Sequence, residues 1–200
     1  MSGSLPLAGD ERPERSDAAE NRRRVLDAAA RLFAREVPSS VTMEAVAAEA
    51  GVGKGTVFRR FGDRASLARA LVSDREAQLQ EAMIRGAPPL GPGAPARERL
   101  IAFGTSYLDF LEEHAVLLIE AEASLSARLD STVYAIYRTH LSMLLSEAGC
   151  GGRAPYLADV LLAPLAAPTY AYHRRTRELS LRELQDAYAD LVARLLDSRP

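Results

Sequence analysis

Gly53, Lys54, Gly55 and Thr56 open a short run that continues through Val57, Phe58, Arg59 and Arg60 to Arg64. These are residue types that bind anions. Glycines at 53 and 55 let the backbone approach a phosphate or a base edge, a bare helix start offers N–H groups and the positive end of its dipole, and guanidinium forks take guanine bidentately. Lys54 is the only lysine in the chain, every other basic side chain being arginine. From Arg22 to Arg64 nine basic residues face five acidic ones, while the 21 residues before and the stretch after are each acidic. A basic segment inside a chain of net charge −2 is the electrostatic footprint of nucleic-acid contact, although a solvated helix face gives the same count.

Other chemistries lack a carrier. There is no HExxH, no GxSxG and no phosphate-binding glycine loop, so no enzymatic activity and no cofactor are expected. His114, His140 and His173 fall in separate predicted helices, and Cys150 is alone in "GCGGR", so no metal site and no internal disulfide are expected. No apolar run approaches the roughly 18 residues of a spanning helix, and the N-terminus lacks the apolar core of a secretory signal. The expectation is a soluble, cytoplasmic protein with no membrane association.

The elements that must position the basic run follow from pattern. Residues 1–18, rich in Pro, Gly, Ser and charge, read as a disordered arm. Val25, Leu26, Ala29, Leu32 and Phe33 recur at helical spacing from about Ala18 to Glu36, and Pro38 marks the stop. Thr42 caps a second helix, "MEAVAAEA", that ends at Gly51. A third runs from Gly53 to about Arg60 and breaks at Gly62. Asp63 caps a fourth, from Arg64 to about Arg85, and "GAPPLGPGAPA" is a linker. Ala47 where two helices touch, Gly51 at the turn and Val57 as apolar anchor make the steric pattern of a helix-turn-helix.

Four further helical stretches follow, near 97–125, 131–149, 155–175 and 180–197, with no convincing period-two alternation anywhere. The fold class is therefore all-α: a three-helix helix-turn-helix domain (19–66) joined by a long helix to a C-terminal helical bundle within 67–200. Leu100, Gly104, Leu108 and Leu111 make one stripe of the first bundle helix. Phe103, Tyr107, Phe110 and His114 make another, so this helix is buried on both sides, against core or around a cavity. Tyr134, Tyr137 and His140 can supply polar tips to such a cavity. Leu157, Val160, Leu161, Leu165 and Tyr172 form an apolar stripe that Pro164 and Pro168 should bend. Leu181, Leu184, Tyr188, Leu191 and Leu195 form another on the last helix.

"RRVLDAAARLFARE" followed by "VTMEAVAAEAGVGKGTVFRRFGDRASLARAL" resembles the N-terminal domain of the tetracycline-repressor (TetR) family of bacterial transcriptional regulators. The likeness covers about residues 22 to 72. It implies a homodimer that binds double-stranded DNA at a pseudo-palindromic operator, most often as a repressor answering to a small-molecule effector. The alternative is a DNA-binding regulator whose bundle answers to a protein or to nothing; a helical scaffold or enzyme with a similar fold is the remoter one. Carried over residue by residue, Thr42 matches a phosphate-contacting cap. Lys54, Gly55 and Thr56 match the recognition-helix positions that meet bases and phosphates, Arg59 and Arg60 match DNA-facing positions often filled by aromatic residues or histidine, and Arg64 matches the usual lysine. Phe58 stands where the family usually has tyrosine, so a contact there is apolar. Arg59 and Arg60 are more cationic than the family's common aromatic or histidine pair. The family's last two helices build the dimer, which implies Leu157, Leu161, Leu165, Tyr172, Leu184, Tyr188, Leu191 and Leu195 as interface. Its middle helices enclose ligand, which implies Phe103, Tyr107, Phe110, His114, Tyr134 and Tyr137 as pocket.

Overall fold

The computed structural model describes residues 11–35, 40–121 and 124–197. All regular structure among them is helical. Two compact units divide between Leu71 and Val72, a few residues beyond the boundary expected at 66/67.

In the first unit, α1 spans Glu11–Arg35, α2 Met43–Ala50 and α3 Lys54–Phe61, and α4 begins at Arg64. α1 starts earlier than expected, inside the stretch read as an arm, and residues 1–10 lie outside the described ones. Its opening is rich in Glu, Arg and Ala, good helix formers, and Pro13 falls in the first turn, where a missing N–H costs nothing. Val25, Ala28, Ala29, Leu32 and Phe33 of α1 are buried together with Val46, Ala47 and Ala50 of α2 and Val57 and Phe61 of α3. Full burial of an aliphatic or aromatic side chain contributes about 1.5–3 kcal/mol, so this small set helps hold the two short helices against α1.

The turn between α2 and α3 is built as the spacing requires. Gly51 is left-handed at φ 65°, and the Val52 N–H donates to the Ala47 carbonyl at 3.0 Å. An L side chain would be strained at that φ, and a Cβ there would sit 3.3 Å from an Arg24 nitrogen. The Thr42 hydroxyl accepts from the Ala45 N–H at 3.1 Å, capping α2. Asp63 accepts from the Ser66 N–H at 2.7 Å, capping α4, and that bond above all holds its carboxyl below the usual range.

The second unit contains the rest of α4, which ends at Arg85, followed by α5 (Ala96–Ala121), α6 (Leu125–Leu129) and α7 (Thr132–Glu147). α8 (Ala154–Leu162), α9 (Ala167–Arg175) and α10 (Leu181–Asp197) complete it. α5 is central, packing on α7, α9 and α10, and both of its predicted stripes are buried except for half-buried His114. A Cβ at Gly104 would lie 1.9 Å from the Tyr188 ring, so glycine is what lets α10 lie this close to α5. The stretch 155–175 is broken rather than bent. Ala163–Leu165 forms a short 3-10 turn and Ala166 is extended at ψ 134°, because Pro164 and Pro168 each lack the N–H that a continuous helix would use. Ser180 and Glu183 satisfy each other's backbone N–H groups at 3.2 and 2.7 Å, a capping box that starts α10.

Candidate nucleic-acid interface

Val57 and Phe61 anchor α3 inward, which fixes what the helix shows to solvent. Lys54, Gly55, Arg59 and Arg60 are exposed, Phe58 is 38% exposed and Thr56 is half-buried. Gly53 precedes the helix in an extended conformation and no side chain caps it, leaving the first N–H groups open to an outside acceptor. A Cβ at Gly55 would meet nothing within 4 Å. Its own fold does not require glycine there, and the bare backbone leaves room for an incoming surface. Thr42 is exposed at the start of α2, its oxygen used by the cap and its hydroxyl hydrogen available to donate.

The basic residues divide into two groups that charge counting does not separate. One group is engaged within the unit. Arg24 donates to the Ala50 carbonyl at 2.9 Å, Arg22 lies 5.4 Å from the centre of the Phe61 ring, and Arg31 and Arg35 hold Glu49 at 3.1 and 3.3 Å. Those two arginines hold the Glu49 carboxyl below the usual range. Arg64 also turns inward, donating to the Val41 carbonyl at 3.2 Å, so it braces the start of α4 as well as lying beside the candidate surface. Lys54, Arg59 and Arg60 point outward around α3, and Arg23 is exposed on α1.

Lys54 has company that the sequence did not announce. Its ammonium lies 2.5 Å from a Glu44 carboxylate oxygen and 5.4 Å from the centre of the Phe58 ring. The hydrogen bond from Lys54 is the largest cause holding the Glu44 carboxyl below its ordinary value. A carboxylate thus sits among the groups that would meet DNA. Residues ten apart across a turn carry no periodic signal that would have paired them.

The expected interface residues of the second unit separate by burial. Leu161, Leu165 and Tyr188 are 0%, 0% and 4% exposed within a single chain, so they pack inside it and cannot form an outer contact face. The close approach at Gly104 draws Tyr188 in against α5, and Leu161 and Leu165 join the same buried core. Leu157, Leu184, Leu191 and Leu195 are half-buried, and Tyr172 is 49% exposed. The expected pocket residues form an aromatic cluster. Phe103, Tyr107 and Tyr137 lie ring to ring at 5.4 to 5.9 Å, Tyr107 reaches Phe110 at 5.5 Å, and Phe110 reaches His114 at 5.0 Å. Burial lowers the pKa of His114. Tyr134 stands apart, donating to Asp159 at 2.9 Å, with burial and that carboxylate pushing its hydroxyl up to about 12. Among the described residues no group of three or more His, Cys, Asp or Glu is placed to hold a metal ion. None of their helices is long and apolar enough to cross a membrane.

Fold and surface together define a helix-turn-helix DNA-binding module at the head of an all-α chain. Residues 25–71 match the model of the bacterial regulatory proteins of the tetR family. HTH-type transcriptional regulators of several Staphylococcus aureus strains are 42% identical over 53 residues, 26% of this chain and 29% of theirs. The match therefore spans under a third of those relatives' length. Solved structures follow most of the chain at low identity. A TetR transcriptional regulator from Rhodococcus sp. RHA1 is similar with a TM-score of 0.63 at 18% identity, over 92% of this chain and 99% of that one. NalD, the secondary repressor of the MexAB-OprM multidrug efflux pump in Pseudomonas aeruginosa, is similar with a TM-score of 0.58 at 18% identity, over 90% and 96%. The chain carries the DNA-binding domain of the tetR family, and its remaining helices share the fold of that family's solved members.

Proposed function

We propose that this protein is a TetR-type transcriptional regulator that binds a pseudo-palindromic operator as a homodimer and represses from it, in the cytoplasm. The observation that carries the reading is α3 itself. Val57 and Phe61 lock it to the core, its N-terminus is uncapped, and Lys54, Gly55, Thr56, Arg59 and Arg60 surround its free face. Helix N-terminus and hydroxyl position the phosphates, and the arginines reach base edges in the major groove. Two copies would occupy half-sites about 34–36 Å apart. Leu157, Tyr172, Leu184, Leu191 and Leu195, on α8, α9 and α10, supply accessible apolar surface for an isologous contact between the copies.

The bundle is proposed to answer to a small molecule. Such an effector releases DNA only by binding the DNA-incompatible arrangement more tightly than the competent one. Fluorescence anisotropy with random and operator duplexes tests the core of this reading. Binding to random duplex at low salt, steeply weakened by added salt, is expected. A monomer that ignores duplex DNA in dilute buffer would overturn it.

A further inference from the structure

A groove of about 620 Å³ opens in the second unit along one face of α7, with the end of α4 and the start of α5 opposite. That volume falls within the roughly 300–1,000 Å³ of small-molecule sites. Met83 and Leu144 form a buried floor, Ile136 a wall, and Ile84 and Met143 an apolar rim, 49% and 66% exposed. The groove is separate from the aromatic cluster, whose residues do not line it, and His140 stands between the two, 6.4 Å from the Phe103 ring.

Arg99, half-buried, lies on this groove. Its guanidinium makes one hydrogen bond, to the Met83 carbonyl at 3.2 Å, its Nε is buried without a partner, and no carboxylate among the described residues pairs with it. Other arginines of the second unit do have a carboxylate: Arg138 has Asp159, Arg174 has Glu112 and Arg97 has Asp197. An arginine cannot shed its proton to escape this setting, and its planar fork fits a carboxylate.

We propose that the groove binds an amphipathic monoanion, a carboxylate on an apolar body, with its head group on Arg99 and its tail along Met83, Ile136 and Leu144. A neutral ligand would leave the cation unpaired. A second negative charge has nothing to meet: burial and the nearby Arg99 hold the His140 pKa down to about 4, so its ring is neutral at pH 7. Glu147, exposed at the groove's edge, repels any anion there, and a dianion about twice as strongly as a monoanion. As an effector site the groove rests on the ligand-responsive reading above; as a binding site it does not.

The test uses the full chain without DNA, with octanoate and 1-octanol as matched probes and the His140 ring proton followed by NMR. The chain has only three histidines, so that signal can be assigned by substitution. Octanoate is expected to bind saturably, to shift His140 and to bind at least ten-fold more tightly than 1-octanol. Arg99→Met should bring the two probes level. Met143→Glu, at the exposed rim, should weaken octanoate several-fold without touching the core, and it decides the matter if Arg99→Met fails to fold. Equal binding of the two probes, a preference that survives Arg99→Met, or octanoate shifts confined to His114 and His173 would each overturn the proposal. Anisotropy of the operator complex with octanoate is a separate measurement. A chain that binds octanoate but no DNA keeps the site and loses the regulator.

Discussion

Glu44→Gln removes one charge from the candidate interface while keeping the side chain's shape. In the free protein the Glu44 carboxylate holds Lys54 at 2.5 Å, and the two side chains are 52% and 61% exposed, so water and salt already weaken the pair. A DNA phosphate must compete with Glu44 for the ammonium, and the exchange of one anion for another releases little. With glutamine in place, Lys54 neutralises a phosphate outright. The plot of log affinity against log salt should then steepen by about 0.9, the slope of one phosphate contact on B-DNA. Over a four-fold rise in salt that is roughly a 3.5-fold loss of whatever the variant gains at the low end. The assay is anisotropy with random and operator duplexes at four or five salt concentrations, alongside a melting curve to show that the fold is intact. Tighter binding to random duplex with the steeper slope is the expected result. An unchanged slope would refute the competition argument. So would weaker binding confined to the operator, because Glu44 would then be accepting a hydrogen bond from a base, as carboxylates do from cytosine N4.

Three further outcomes follow from other parts of the molecule. Arg59→Ala should cost about 1–3 kcal/mol on operator DNA and relax specificity at one base pair; equal losses on operator and scrambled duplexes would make Arg59 a phosphate clamp instead. Gly104→Ala should destabilise the chain by about 1–3 kcal/mol in urea unfolding, because its Cβ would enter the Tyr188 ring and an aromatic locked in a core cannot swing away. The Glu112 carboxyl is held below its ordinary 4.5 first by Arg174 and then by Tyr170, which both donate to it. A depressed carboxylate pKa contributes stability that is present above 4.5 and lost as pH falls through the lower folded value. Arg174→Met should therefore flatten the pH dependence of stability in that acid window and leave its shape near pH 7 unchanged.

Much of the fold was legible because short-range rules dictate it. Thr42, Gly51, Gly53 and Asp63 begin or end helices through their own dihedrals and nearest N–H groups, and each does in the structure what its type dictates. α4 and α7 start and stop within two residues of expectation, since apolar periodicity is a property of the segment itself. The outward residues of α3 were legible too, once Val57 and Phe61 were read as the anchors.

Contacts between segments distant in sequence were not. Charge counting pooled Arg24, Arg31, Arg35 and Arg64 with Arg59 and Arg60. Only the packed unit shows that the first four hold carbonyls or carboxylates of their own chain. The same holds for Glu44 beside Lys54 and for the lone Arg99 in its groove. Leu161, Leu165 and Tyr188 looked like an outer stripe on a helical wheel, yet a wheel cannot say which neighbour will cover it. Residue types and local spacing decide whether a helix forms and which face is apolar. Which partner meets each face is decided by how the helices within each unit fill space at once, and the charges left exposed at the end are known only then.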